Sequence, residues 1–210
     1  MVKRLFRITE SETRDLGVYY KRLSAFILFI GFPFFIIRGL YHESLRNYGL
    51  SHPTGRLSPF FLLPVIIASF LVLLFFSKKK KLIQKYPEVK SARESGLHFA
   101  LSSASYVLYF FGYENLYRGF LLFGLRTYTG DWAAVFISAG FTTLTHFRDL
   151  RSVVLGSLAA GVLFSYMALL TGSIWTVFML HSGIGIAMDY LCIRASFSTE
   201  DVQEFQEDES

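Results

Sequence analysis

Long apolar runs, separated by short polar and basic segments, dominate the pattern of hydrophobic and polar positions along this chain. The clearest run, residues 57–77, carries no charged side chain and ends at four consecutive lysines, residues 78–81. A helix needs about 20 residues to cross the hydrocarbon core of a bilayer, and this run has that length. The pattern therefore predicts a membrane-spanning helix here.

The same criterion predicts further spans, although one uncharged stretch is too long for a single crossing. Residues 152–188 carry no formal charge, and one straight helix of that length would be about 55 Å long. The chain must turn within it, and Thr171-Gly172-Ser173 supplies turn-forming residues. The predicted spans are residues 19–41, 57–77, 96–125, 132–147, 152–170 and 174–193.

These spans predict an all-α protein, a polytopic membrane helical bundle of about six transmembrane helices. The transmembrane domain covers residues 19–195, after a basic N-terminal segment, residues 1–18, that is expected in the cytoplasm. Residues 196–210 are acidic with few apolar side chains, so we expect a disordered tail. Lys21 and Arg22 lie near enough to the start of the first span for their side chains to extend to the lipid surface.

Composition and charge narrow the class of protein. The chain has 210 residues, of which 52% are hydrophobic and only 18% charged, which excludes an ordinary soluble domain. The basic residues gather in short segments between apolar runs, as in cytoplasmic loops beside anionic lipid, so membrane lipid is a predicted partner and nucleic acid is not. We expect an integral, multi-pass protein of the bacterial inner membrane with both termini in the cytoplasm. The single cysteine excludes an internal disulfide and a Cys-based zinc cluster.

Two oppositely charged residues lie inside the third predicted span. Glu114 and Arg118 are four residues apart, so on a helix they share a face one turn apart. A charged side chain in hydrocarbon costs at least ~2.5 kcal/mol, so these two must face each other, a cavity or other polar groups. A buried structural ion pair and a catalytic carboxylate with its partner both satisfy this condition.

Two histidines recur downstream in apolar surroundings. His146 ends the fourth predicted span and His181 lies in the middle of the sixth. Hydrolysis of an amide in a membrane needs a base, a group that stabilises the oxyanion and access to water, and Glu114 with these imidazoles could provide the first two. One carboxylate and two histidines could also hold zinc, but no local ligand motif is present, so no metal and no other cofactor is predicted. A capping role for His146 and a structural role for His181 stay open.

At these residues the chain resembles the CAAX prenyl protease and bacteriocin-processing (CPBP, Abi) family of intramembrane proteases. The family pattern is Glu-Glu-x-x-x-Arg, then Phe-x-x-x-His on the next helix, then His-x-x-x-Asn. Glu114 and Arg118 match the second Glu and the Arg of the first motif. His146 and His181 match the histidines of the second and third, and the resemblance covers residues 95–190.

Three positions depart from the family pattern. Tyr113 occupies the place of the first Glu, Thr142 the place of the Phe and Gly185 the place of the Asn. Asp189 follows His181 by eight residues, about two helical turns, and is the nearest candidate to replace the missing Asn.

The resemblance implies an intramembrane endopeptidase of the glutamate type. It would hydrolyse a peptide bond of a membrane-associated or prenylated substrate with water activated by Glu114. Arg118 would hold Glu114 ionised, and His146 with His181 would bind the scissile carbonyl and its oxyanion.

Two other classes of function are compatible with parts of this sequence. Tyr113 and Gly185 are compatible with a catalytically inactive relative that binds a peptide or a membrane partner. A small transporter has less support, because the chain shows no repeated half and no paired broken helices. The sequence indicates no oligomeric state.

Overall fold

The computed structural model describes residues 9–54, 59–147 and 151–208, with the backbone alone for 59–61, 152 and 198–208. Within these ranges the regular structure is helical and no strand occurs, which confirms the all-α class. The α-helices are α1 Glu10–Phe34, α2 Pro59–Ser77, α3 Lys80–Lys85, α4 Gly96–Glu114, α5 Gly124–Thr129, α6 Asp131–Leu144, α7 Arg151–Thr171 and α8 Trp175–Asp208. Two π-helical segments, Phe35–Leu40 and Asn115–Phe123, continue α1 and α4.

Three of the described helices are long and apolar enough to cross a membrane: Glu10–Leu40, Val153–Thr171 and Trp175–Phe197. A shorter apolar helix, Leu62–Ser77, coincides with the second predicted span. The third predicted span falls on α4 and its π-helical continuation, and the fourth falls on α6. The chain is therefore an all-α membrane protein, as the sequence predicted.

The first helix begins earlier than the apolar run indicates, because a capping box fixes its start. The Thr9 hydroxyl accepts a hydrogen bond from the Glu12 backbone N–H, and the Glu12 carboxylate accepts one from the Thr9 N–H. This reciprocal pair satisfies donors that a helix start leaves unpaired. Residues 10–18, predicted as part of a separate N-terminal segment, belong to α1, and residues 1–8 lie outside the described residues.

The last helix continues to Asp208, whereas the sequence predicted a disordered tail from residue 196. No proline or glycine follows Gly185, so nothing in the composition of this segment breaks the helix. The backbone therefore stays helical through the acidic residues.

The chain divides into two compact units, each built from separate stretches of sequence. Unit 1 comprises Met1–Ser24, Leu63–Leu108 and Ser182–Ser210, and unit 2 comprises Ala25–Leu62 and Tyr109–His181.

A buried arginine organises unit 1. Arg22 is 1% exposed and donates hydrogen bonds to the carbonyl and hydroxyl of Ser102, the hydroxyl of Ser105 and the carboxylate of Glu88. Its guanidinium also lies 4.1 Å from the centroid of the Tyr106 ring. The sequence predicted that this side chain extends to the lipid surface, but it turns into the protein because these partners compensate its charge there.

In unit 2, small and hydroxyl-bearing residues let α6 and α7 approach closely. A Cβ at Gly161 would lie 2.9 Å from the Thr142 hydroxyl and 3.1 Å from the Ala139 Cα, so only glycine fits this contact. Close packing through glycine is a common means of helix association in membranes. Thr142, which stands where the family pattern has Phe, is buried in this interface and its hydroxyl donates to the Ala139 carbonyl.

Candidate active site

The Glu114 carboxylate stands at the junction between α4 and a π-helical segment. The backbone continues without interruption from Glu114 into Asn115–Phe123, which contains Arg118. Short π-helical insertions in α-helices occur frequently at functional sites. Two contacts accommodate this backbone: the Ser138 hydroxyl donates to the Tyr117 carbonyl over 2.9 Å, and a Cβ at Gly119 would lie only 3.1 Å from a backbone carbonyl oxygen.

Glu114 is fully buried and pairs with the arginine one turn further on. Its Oε1 lies 3.4 Å from Arg118 Nη1 and its Oε2 lies 3.3 Å from the same nitrogen. Glu114 is 0% exposed and Arg118 is 2% exposed. Among the described residues Oε2 has no hydrogen-bond partner, so its contact with the Arg118 guanidinium is an ion pair without a hydrogen bond.

The second partner of Glu114 is His181, which comes from a distant part of the sequence. His181 Nδ1 lies 2.5 Å from Glu114 Oε1. The imidazole is partly accessible, with 22% of its side chain exposed. The structure therefore brings together three of the five predicted site residues: the carboxylate, the guanidinium and the imidazole of the third motif.

Aromatic rings enclose the His181 imidazole on several sides. Its ring centroid lies 4.1 Å from that of Phe110, 5.5 Å from that of Tyr113 and 5.4 Å from that of Phe164. The Arg118 guanidinium lies near two of the same rings, 5.8 Å from Tyr113 and 6.0 Å from Phe164. These rings restrict the imidazole and exclude lipid and bulk water from the ion pair.

His146 follows the last residue of α6, Leu144, by two positions. It lies in a turn after α6, and its backbone N–H donates to the Thr143 carbonyl. Thr145, the residue before His146, contacts the Glu114 helix: its hydroxyl lies 3.4 Å from the Tyr113 hydroxyl. The Tyr113 hydroxyl also lies 3.4 Å from the Thr142 carbonyl. Tyr113, which replaces the first Glu of the family motif, thus joins the Glu114 helix to the end of α6.

Asp189 belongs to unit 1, whereas Glu114, Arg118 and His181 belong to unit 2. It is 3% exposed, and one carboxylate oxygen has no hydrogen-bond partner among the described residues. The charged side chains that act on it include Arg22, Glu88 and Lys90, all of unit 1. That Asp189 replaces the Asn of the third family motif stays a prediction.

The Glu114 carboxylate and the His181 imidazole are arranged so that a proton can pass between them. Among the residues whose side chains the structure describes, no group of three or more His, Cys, Asp and Glu could hold a metal ion, and the absence of a metal stays a prediction. A carboxylate bonded directly to a partly exposed imidazole is an acid–base unit, because a proton can be held on either partner. Such a pair can activate water for attack on a carbonyl.

Sequence reasoning missed the residues that support this site. The Asn115 side-chain amide donates to the Phe29 carbonyl, and Ser138 bonds the backbone of the π-helical segment. Neither belongs to a motif. The only available signal was the polar character of Asn115 within an apolar run, directly beside the motif glutamate.

The fold and the site define an all-α membrane protein with a buried cluster of Glu114, Arg118 and His181. Residues 95–187 match the family model described as "Rce1-like: Type II CAAX prenyl endopeptidase Rce1-like". The family resemblance seen in the sequence is therefore confirmed over a little under half of the chain. The match includes all three clustered residues and His146, and it ends before Asp189. No curated protein and no solved structure matched the chain.

Proposed function

We propose that this protein is an intramembrane endopeptidase that hydrolyses a peptide bond of a membrane-associated substrate. One observation carries the proposal: the buried carboxylate of Glu114 is bonded directly to His181 and ion-paired with Arg118. All three residues lie inside the part of the chain that matches the CAAX prenyl endopeptidase family. A structural ion pair would explain Glu114 and Arg118 but would not require the partly exposed histidine.

In this proposal the Glu114–His181 pair takes a proton from water, and the resulting hydroxide attacks the scissile carbonyl. Arg118 stabilises the carboxylate form of Glu114 throughout. The sequence assigned water activation to Glu114 and oxyanion binding to His146 and His181. Those assignments stay predictions, as does recognition of a prenyl group on the substrate.

The proposed setting is the bacterial inner membrane, with several crossings and both termini in the cytoplasm. The four lysines at residues 78–81 support this orientation, because short basic loops are retained on the cytoplasmic side. The substrate would be a peptide or a protein segment that reaches the site from the membrane.

The test is cleavage of C-terminal peptides, with and without a farnesyl group on cysteine, by the purified full-length chain in lipid vesicles. Mass spectrometry would locate the cleaved bond. We expect turnover by the wild type and a loss of about 10²–10⁴-fold in Glu114→Gln and in His181→Ala. His98→Ala is the matched control, because His98 is exposed and bonded to Ser95, and it should keep wild-type turnover.

A second candidate function is that of an inactive relative that binds a membrane peptide or partner. Tyr113 and Gly185, at positions where the family pattern has Glu and Asn, favour it. This function predicts that Glu114→Gln and His181→Ala bind the same peptides as the wild type and that none of the three proteins cleaves them. Turnover by the wild type would exclude it.

A further inference from the structure

A cavity of about 360 Å³ lies within unit 2, outside the candidate active site. Its lining comes from two stretches of chain, within residues 41–48 and 120–128. The first stretch follows the helix Glu10–Leu40, and the second includes the end of the π-helical segment Asn115–Phe123. Cavities that bind small ligands have volumes of roughly 300–1,000 Å³. This cavity is therefore large enough for a ligand group.

Aromatic rings form much of the wall of this cavity. Five lining residues are aromatic: Tyr41, Tyr48, Phe120, Phe123 and Tyr128. The rings of Tyr48 and Phe120 are stacked, with their centroids 6.3 Å apart and their planes at 20°. The face of an aromatic ring carries partial negative charge, and cages of such rings bind alkylammonium ligands. The wall therefore favours an organic cation.

The charge of the cavity favours the same class of ligand. Glu43 is the only formally charged residue in the described lining. Burial and the negative charge of Glu43 raise the pKa of the Tyr48 phenol. Arg126 lies over the Phe123 ring, 5.8 Å from its centroid, but its Nε and Nη2 donate to the Asp131 carboxylate. An anion in this cavity would meet a carboxylate, whereas a cation would gain a counter-charge.

The position of the cavity along the chain indicates where such a cation would come from. Tyr41 and Glu43 follow directly after Glu10–Leu40, a helix long and apolar enough to cross a membrane. Residues at the end of a span lie at the level of the lipid head groups, where tyrosine is frequent. Zwitterionic phospholipids carry their ammonium group at this level. The side-chain oxygens of Asn47 and Thr127, which also line the cavity, can accept hydrogen bonds from an ammonium group.

We propose that this cavity binds the ammonium head group of a zwitterionic phospholipid, with Glu43 as its counter-charge and the five aromatic rings as its wall. The inference goes beyond the proposed function and does not depend on proteolysis. A bound head group would contact both stretches of the lining and stabilise their packing. The second stretch continues from the segment that contains Arg118.

The first test measures binding of lipids that differ only in their head group. The full-length protein in maltoside micelles is titrated with phosphatidylethanolamine, phosphatidylcholine or phosphatidylglycerol, all with the same acyl chains, and native mass spectrometry measures the bound lipid. We expect Glu43→Gln to bind the two zwitterionic lipids at least about tenfold more weakly than the wild type. Binding of phosphatidylglycerol, which has no ammonium group, should not weaken.

Glu94→Gln is the matched control for this charge change. Glu94 is an exposed glutamate of unit 1 and does not line the cavity. This variant should bind all three lipids as the wild type does. Equal binding of phosphatidylethanolamine by Glu43→Gln and the wild type would overturn the proposal.

The second test removes an aromatic face where the fold does not depend on it. Tyr128 is 87% exposed, so Tyr128→Leu and Tyr128→Phe should both keep the fold. Loss of the ring in Tyr128→Leu should weaken phosphatidylcholine binding by about threefold, whereas Tyr128→Phe keeps the ring face and should bind as the wild type does. Unchanged binding in Tyr128→Leu would contradict an aromatic wall around the ammonium group.

A competition experiment separates a lipid from a peptide as the source of the cation. Nα-acetyl-lysine amide carries an ammonium group but no acyl chains. It should not displace phosphatidylethanolamine from the wild type at equal concentration. Displacement at equal concentration would assign the cavity to a cationic side chain and overturn the assignment to lipid.

Discussion

The side-chain amide of Asn115 donates a hydrogen bond to the backbone carbonyl of Phe29, 2.9 Å away. Phe29 precedes Pro33 by four residues, and proline has no N–H to give to the carbonyl one turn before it. Asn115 thus supplies the donor that Pro33 lacks. Gly112 completes the crossing of α1 and α4, because a Cβ there would lie 3.1 Å from the Phe26 Cα.

The relationship between Asn115 and Pro33 predicts an energetic coupling. Asn115→Leu should destabilise the protein by about 1–2 kcal/mol, because it leaves the Phe29 carbonyl without a partner. Pro33→Ala restores the intrahelical donor, so the same Asn115→Leu change should cost less in that background. Chemical unfolding in mixed micelles measures all four proteins of the cycle. Equal costs in the two backgrounds would show that the bond does not compensate for the proline.

Removal of the Glu114 charge should affect stability and catalysis in separable ways. Glu114→Gln leaves Arg118 buried without a counter-charge, and breaking a buried pair costs about 3–5 kcal/mol. The double variant Glu114→Gln, Arg118→Met removes both charges and should recover most of that stability. Neither variant should cleave peptides. Mass spectrometry measures the turnover, and chemical unfolding of the same proteins measures the stability.

The turnover and the stability of these variants each test a different explanation of the Glu114–Arg118 ion pair. Wild-type turnover by the double variant would mean that Glu114 and Arg118 form only a structural ion pair. A stable Glu114→Gln single variant would mean that water reaches Arg118 and compensates its charge.

Local patterns in the sequence predicted the helices well but not the contacts between them. The uncharged run at residues 57–77 became α2, Pro59–Ser77, and the turn at Thr171-Gly172-Ser173 separates α7 from α8 as expected. Those features depend on the length of an apolar run and on residues that form turns. The earlier start of α1 was also readable, because Thr9 and Glu12 form a capping-box signature.

The site was predictable only where a family motif marked its residues. The motif indicated that Glu114, Arg118 and His181 act together, and the structure brings them together. The bond from Asn115 to the Phe29 carbonyl compensates for a proline 82 residues earlier in the chain, and no local pattern encodes such a contact. His146 was predicted at the end of a span, yet α6 ends at Leu144 and leaves it in a turn.

The interface of α6 and α7 predicts opposite effects for two glycines on one helix. Gly161→Ala places a Cβ 2.9 Å from the Thr142 hydroxyl and 3.1 Å from the Ala139 Cα. This overpacking should destabilise the protein by about 1–3 kcal/mol. Gly156→Ala is the matched control: a Cβ there meets nothing within 4 Å, so helix propensity should make it neutral or stabilising by up to ~1 kcal/mol.

The same unfolding assay compares the two alanine variants. A destabilised Gly156→Ala together with an unaffected Gly161→Ala would contradict the close approach of α6 and α7. A reduced turnover in Gly161→Ala that keeps its fold would show in addition that this packing positions the Tyr113 contacts with Thr142 and Thr145.

Two neighbouring basic residues of unit 1 share the partner Glu88 but should differ widely in their contribution to stability. Arg22→Lys replaces the fork that bonds Ser102, Ser105 and Glu88 with a single ammonium group, and it also weakens the contact with the Tyr106 ring. The Arg22 side chain is only 2% exposed, so water cannot replace the lost hydrogen bonds. We expect Arg22→Lys to lower the free energy of unfolding by about 2–3 kcal/mol. The buried arginine therefore acts through geometry as well as charge.

The matched control is Lys21→Gln, which removes a charge from the same carboxylate at a water-accessible position. The Lys21 ammonium lies 3.6 Å from Glu88, and its side chain is 65% exposed. An exposed pair of this kind contributes between zero and about 1 kcal/mol, so this variant should unfold close to the wild type in mixed micelles. Equal losses for Lys21→Gln and Arg22→Lys would mean that the charge of Glu88, rather than the bonding pattern of Arg22, determines the stability of unit 1.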